Sequence, residues 1–185
     1  MPVYIALLRG VNLLSHNRIK MDVLRSVCES IKLRDVQTYI QSGNIVFRTK
    51  ETNTAKLTAR IERAIEAEFG CRPAVILRTT SQWKDAIARN PFASRSGIEP
   101  NKLLVHFLAG DPGDEAREKV RAIPPAAEEL HIFERELYIH FPNGMARPKL
   151  SMPAIERALK VTGSGRNWNS VMKLLEMAER LESAR

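Results

Sequence analysis

The chain has 185 residues, 44% of them hydrophobic and 27% charged, which is enough for one large domain or two small ones with apolar cores. No apolar run approaches the ~20 residues of a membrane span, and "MPVYIALLRG" lacks the basic start and cleavage site of a signal peptide. We therefore expect a cytoplasmic protein without membrane contact. The net charge of +8 favours polyanionic partners, but cations and glutamates alternate along "ARIERAIEAEFG", as on a solvated surface.

Residues 1–80 alternate between strand and helix patterns. "VYIALLR" predicts a strand, and "IKMDVLRSVCESI" carries apolar residues at helical spacing. "VQTYIQ" and "IVFRT" predict two strands joined by a turn at Ser42-Gly43-Asn44, and a helix, "TAKLTARIERAIEAEF", and a strand, "AVILRT", follow. The order βαββαβ indicates a ferredoxin-like unit in an α+β protein.

Residues 81–185 predict a second, related unit. A helix in "SQWKDAIARN" precedes a strand in "KLLVHFLA", a helix in "DEAREKVRAI" and a hairpin of "ELHIF" and "ELYIHF". A helix in "MPAIERALK" and a C-terminal helix from about Asn169 complete the unit. No stretch predicts a closing strand, so we expect the repeat to be one of element order only.

A polar edge is expected beside the first helix. In the ferredoxin-like strand order 4-1-3-2, the end of strand one meets the start of strand three, near the N-terminus of that helix. Unpaired N–H groups and the helix dipole there suit an anion. We name residues 9–20 and 41–44 the polar edge, and its candidate ligand-binding residues are Arg9, Asn12, His16, Asn17, Arg18, Lys20, Gln41, Ser42 and Asn44.

The same residues also have a purely structural interpretation. Asn and Ser can cap a helix or bind turn carbonyls, and Gly43 can supply a positive φ. The sequence leaves both interpretations open.

A second polar cluster, Arg166, Asn167 and Trp168, lies in "GSGRNWNS". A capped helix start with a docked tryptophan would explain it, and so would an anion site with Arg166 as a bidentate donor. Both interpretations predict a helix start at this point.

Metal and cofactor chemistry is not predicted. Cys28 and Cys71 have no CxxC spacing, and Cys28 fits the apolar face of a helix. If Phe133 pairs with Glu136, then His131, His140 and Tyr138 share a face, and His106 could join them, but no HxH or HExxH spacing supports a metal site. P-loop, RNA-recognition and Ser/His/Asp signatures are also absent from the sequence.

The longest motifs resemble a known family. "YIALLRGVN", "HNRIKMDVLR", "TYIQSGNIVF" and "RNWNS" together are similar to domain of unknown function 1697 (DUF1697), from Met1 to about Leu175. The resemblance implies a bacterial cytoplasmic protein with ferredoxin-like α+β architecture and no known activity. It also implies that the recurring polar positions of the family fall on the polar edge and on Arg166, Asn167 and Trp168.

This chain departs from the family pattern at a few positions. Leu14 and Ser15 stand where the family usually has two glycines, Pro148 replaces a serine, and Ser170 replaces a threonine. We therefore expect the family scaffold with an altered site.

Two functions follow as hypotheses. The first is binding, with or without turnover, of a small anionic or phosphorylated ligand at the polar edge. The alternative is nucleic-acid binding by the dispersed basic surface. The sequence does not indicate a reaction or an oligomeric state.

Overall fold

The computed structural model describes residues 1–12, 18–124, 127–146 and 148–184. Within these ranges it contains six α-helices and two four-stranded antiparallel sheets, which is the mixed α+β class predicted from the sequence. The chain divides into two compact units: unit 1 is Met1–Lys84 with Lys173–Arg185, and unit 2 is Asp85–Met172. No helix in the described ranges has the length and apolarity to span a bilayer.

Unit 1 contains a sheet with two helices on one face. Its elements are β1 (Val3–Leu8), α1 (Met21–Ser30), β2 (Arg34–Tyr39), β3 (Asn44–Arg48), α2 (Thr54–Phe69) and β4 (Val75–Thr79). The strand order is β2-β3-β1-β4, so β1 lies beside β3 as expected. Val3 pairs with Arg48 at one end of the sheet and Leu7 with Asn44 at the other.

The core of unit 1 follows from apolar periodicity. Leu24 and Cys28 of α1 pack with Leu57 and Ile61 of α2 against alternate residues of the strands. All six positions of β1 are buried, as its uninterrupted apolar sequence predicts. Helix α2 begins where Asn53 Oδ1 accepts from the Lys56 N–H (2.9 Å).

A segment late in the chain belongs to unit 1. Arg48 Nη2 donates to the backbone oxygens of Leu181 and Ala184. Lys84 Nζ lies 2.9 Å from Glu179 Oε1. These contacts attach residues 173–184 to a unit whose other residues all precede residue 85.

Unit 2 has the same arrangement. Its elements are β5 (Leu103–Leu108), α4 (Asp114–Arg121), β6 (Glu129–Phe133), β7 (Glu136–His140), α5 (Met152–Leu159) and β8 (Gly163–Asn167), and α3 (Thr80–Ala88) and α6 (Trp168–Ser183) extend across the unit boundaries. The strand order is β6-β7-β5-β8. Buried Leu108, Val120, Ile132, Leu137 and Ile155 contribute to its core.

Strand β8 corrects the prediction that unit 2 lacks a closing strand. It is formed by "GSGRN", which has no apolar residue and two glycines, so its composition hides it. The register explains the glycines: a Cβ at Gly163 would lie 2.5 Å from His106 Nε2, and His106 pairs directly with Gly165. The imidazole on the neighbouring strand leaves no room for larger residues.

One arginine recurs at the same position in both units, which the sequence analysis, with its repeat of element order only, did not predict. Arg78 pairs with Ile5 and Arg166 with Val105, at corresponding positions of β4 and β8. Both arginines are buried. The residue after each one accepts a hydrogen bond in its side chain from a backbone N–H three residues further along the chain. Thr79 accepts from Gln82 (3.2 Å), and Asn167 accepts from Ser170 (3.0 Å).

Candidate functional site

Asn12 joins the two segments of the polar edge. Its Nδ2 donates to the backbone oxygens of Ile19 (3.0 Å) and Gln41 (2.7 Å), and its Oδ1 accepts from the Ile19 N–H (2.8 Å). The residue has φ +54°, a left-handed conformation that asparagine tolerates better than most residues. The side chain thereby fixes the entry to α1 beside the turn that precedes β3.

That turn is held internally by Asn44. The residue is fully buried, and its Nδ2 donates to Tyr39 O (2.9 Å) and Ser42 Oγ (2.8 Å). Gly43 has φ +75°, and a Cβ there would lie 2.6 Å from Val11 Cγ2 and 2.7 Å from Leu8 Cβ. The conformation of "QSGN" therefore depends on close packing against the segment after β1.

The cations of the polar edge flank the start of α1. Arg18 and Lys20 are exposed on either side of Ile19, which is 2% exposed, and Arg9 is half-buried. Lys20 is the N-cap of α1 and its own side chain makes no cap hydrogen bond, while Asp22 in the first turn supplies one negative charge. Among the described residues, no carboxylate lies within ion-pair distance of Arg18 or Lys20.

The structure thus brings Asn12, Gln41, Ser42 and Asn44 together and locates Arg18 and Lys20 at the adjoining helix start. His16 and Asn17 lie outside the described residues, as do Leu14 and Ser15.

The second polar cluster is built into β8 and the start of α6. Arg166 is 8% exposed, and its Nη1 donates to Ser164 Oγ (2.7 Å) and Gly165 O (2.7 Å). Burial lowers the pKa of Arg166 to about 10. Asn167 caps α6, and half-buried Trp168 is the first residue of that helix.

The hairpin that carries His131 and His140 has the predicted register, but His106 does not join their face. Phe133 pairs with Glu136 and His131 with Tyr138, as predicted. The ring of Phe92 lies 5.3 Å from that of His131 and 5.9 Å from that of His140. His106 pairs with Leu137, hence on the opposite face, so the expectation that it joins them is wrong.

His106 instead forms a pair that the sequence analysis missed. Its Nε2 lies 3.1 Å from Glu156 Oε1 of α5; His106 is buried and Glu156 is partly buried. Gly163 and Gly165 make room for the ring. These glycines were the available signal in the sequence, since two glycines in a strand mark a close approach by a neighbour.

The units and their connections define a class of α+β protein with two similar sheets and a braced polar turn at one sheet edge. The profile of the family described as "Protein of unknown function (DUF1697)" matches residues 1–138, and the chain belongs to this family, as its motifs predicted. The solved structure of the conserved bacterial protein SP0830 from Streptococcus pneumoniae is similar in fold, with a TM-score of 0.70 at 19% identity over 96% of this chain and 98% of that one. No curated protein matches the chain.

Proposed function

We propose that the protein binds a small anionic, phosphorylated ligand at the polar edge. The observation that carries this proposal is the start of α1, where the N-cap residue Lys20 makes no side-chain cap hydrogen bond and Arg18 lies two residues before it. The first N–H groups of a helix and the positive end of its dipole attract anions, and two exposed cations add to that attraction.

In this proposal the amide side chains have a positioning role. The Asn12 side chain forms hydrogen bonds with the backbone of Ile19 and Gln41, and the Asn44 side chain donates to Tyr39 O and Ser42 Oγ. Asn12 therefore holds the two segments together and Asn44 holds the turn, and the charged contacts to the ligand come from Arg9, Arg18 and Lys20. A preorganised site of this kind loses little entropy on binding.

The proposal is tested by ³¹P NMR and calorimetric titration with inorganic phosphate, sugar phosphates and nucleoside monophosphates. The variant Arg18→Ala/Lys20→Ala should weaken binding of any phosphate hit by at least about tenfold, since charge-assisted hydrogen bonds contribute roughly 1.5–3 kcal/mol. Arg25→Ala is the matched control, because Arg25 is an exposed cation one turn into the same helix. The same spectra report turnover as a new phosphorus signal.

Three results would overturn the proposal: no phosphate compound binds, the double variant binds as well as the original chain, or the control variant loses as much affinity. Salt-sensitive binding of oligonucleotides without binding of small phosphates would instead favour the nucleic-acid hypothesis.

We also infer that each unit is ferredoxin-like. The element order βαββαβ and the strand orders β2-β3-β1-β4 and β6-β7-β5-β8 support this inference. A cytoplasmic location is consistent with free thiols at Cys28 and Cys71. Fractionation of cells that produce the chain would test the location.

A further inference from the structure

A cavity of unit 1 lies at the end of the sheet away from the polar edge. Its volume is about 400 Å³, and it is lined by Lys32, Arg34, Thr49, Lys50, Glu51 and Arg60, together with Met1. We name it the basic cavity. Several elements contribute to it, because Lys32 follows α1, Arg34 begins β2, and Lys50 follows β3. It shares no residue with the polar edge.

Positive charge dominates the lining of the basic cavity. In the part of the chain that the structure describes, no carboxylate oxygen lies within 4 Å of a side-chain nitrogen of Lys32, Arg34, Lys50 or Arg60. The lining carboxylate, Glu51, is already engaged: its Oε1 accepts from the Asn53 N–H (3.0 Å) and its Oε2 lies 3.3 Å from Lys56 Nζ. Glu51 still acts electrostatically on Arg60, but one carboxylate does not balance the four lining cations, so the lining keeps a net positive charge.

Some hydrogen-bond donors and charges in the lining of the basic cavity are also unfavourably placed. Arg60 Nε is buried and has no hydrogen-bond partner among the described residues, an arrangement that costs free energy in the unliganded protein. Arg34 pairs directly across the sheet with Arg48, and such like-charge pairs are unfavourable. Asp35 Oδ2 lies 3.2 Å from Arg48 Nη1, so Arg48 has a counter-ion, whereas Arg34 has none in the described ranges. A bound anion would offset these costs.

We propose that the basic cavity binds a small compound with two or more adjacent phosphates. Four cations exceed what one carboxylate or one phosphate monoanion neutralises, whereas a pyrophosphate group carries several negative charges within a few ångströms. Lysine and arginine are the usual partners of phosphate oxygens, and Thr49 adds a hydroxyl to the lining. The volume lies within the range of small-molecule sites.

Calorimetric titration with inorganic pyrophosphate and inorganic phosphate tests this proposal. Pyrophosphate should bind at least tenfold more tightly than phosphate, and Arg34→Ala/Lys50→Ala should lose at least tenfold in pyrophosphate affinity. Arg25→Ala/Arg63→Ala is the matched control, because it removes two exposed cations of unit 1 that line neither site. The pyrophosphate affinity of this control should stay within twofold of that of the original chain. Lys50→Ala alone serves if the double variant does not fold.

The outcomes distinguish this site from the polar edge. Loss of pyrophosphate binding in Arg18→Ala/Lys20→Ala, with no loss in Arg34→Ala/Lys50→Ala, would overturn the present proposal and support the polar edge. If the control variant loses as much pyrophosphate affinity, the loss reflects the net charge of the protein, and the proposal is overturned as well. Tight binding of a single-stranded oligonucleotide with none of pyrophosphate would exclude a small ligand.

Discussion

Asn12 Nδ2 donates a 2.7 Å hydrogen bond to the backbone oxygen of Gln41, 29 residues further along the chain. Because the same side chain also bonds the N–H and oxygen of Ile19, one asparagine connects three points of the polar edge. This arrangement has a direct consequence for stability.

We predict that Asn12→Ala lowers the free energy of unfolding by about 2 kcal/mol, since it removes three hydrogen bonds and leaves the Ile19 N–H without its acceptor. Urea unfolding measures the change. Gln41→Ala is the control and should stay within about 0.5 kcal/mol, because only its backbone oxygen takes part in this contact. Equal stability of the two variants would contradict the bracing role.

Gly43→Ala should destabilise the fold more than Gly70→Ala. Both glycines have positive φ, but a Cβ at residue 43 would lie 2.6 Å from Val11 Cγ2, whereas a Cβ at Gly70 would have no described residue within 4 Å apart from its two chain neighbours. Gly70→Ala should therefore cost about 1–2 kcal/mol for the left-handed conformation alone, and Gly43→Ala should cost that plus the clash. Thermal and urea unfolding of both variants would show the difference, and similar costs would exclude a packing role for Gly43.

His106 and Gly163 should be energetically coupled. Gly163→Ala introduces a Cβ 2.5 Å from the imidazole Nε2 and 2.7 Å from the Phe107 backbone oxygen. Combining it with His106→Ala should relieve the first clash and leave the second. A double-mutant cycle measured by urea unfolding should give a favourable coupling of roughly 0.5–3 kcal/mol. Additive effects would show that the imidazole does not require the glycine.

Cys28 should make stability fall at high pH. Burial, with a contribution from the charge of Glu29, raises the pKa of Cys28 to about 12 from an ordinary value of 9.0. Between these pH values the unfolded chain releases the thiol proton and the native chain keeps it, so the unfolded state binds fewer protons and native stability declines as pH rises.

Urea unfolding from pH 8 to 11 tests this effect against Cys28→Val. The stability of the original chain should decline more steeply above pH 9 than that of the variant, by up to about 1.4 kcal/mol per pH unit. Below pH 9 the two slopes should agree. Parallel curves over the whole range would show that Cys28 does not contribute.

Apolar periodicity predicted most of unit 1 correctly, because its strands and helices bury apolar side chains at regular spacing. The same approach missed β8, because its glycines Gly163 and Gly165 make room for the ring of His106 on another strand. Local sequence patterns carry little information about such non-local packing. The match between Arg78 and Arg166 was hidden for a similar reason, because it is defined by strand register.

For the candidate site, topology predicted which segments meet, but the use of each side chain depends on atomic distances. Asn12 and Asn44 have the same polar character as potential ligand contacts, yet Asn12 bonds the backbone of Ile19 and Gln41, and Asn44 bonds Tyr39 O and Ser42 Oγ within its own turn. The cations of the basic cavity were read as dispersed, since Lys32, Lys50 and Arg60 are far apart in sequence and only the sheet brings them to one cavity.

The division of unit 1 between residues 1–84 and 173–185 has a consequence during protein synthesis. The residues that supply carbonyl acceptors to Arg48 leave the ribosome only after all of unit 2. At typical synthesis rates of 5–20 residues per second, the nascent N-terminal sheet waits about 4 to 18 s for this segment. Unit 2 can therefore fold before unit 1 is complete. In that interval unit 1 lacks its C-terminal segment, and this is when we expect nascent-chain chaperones to bind it.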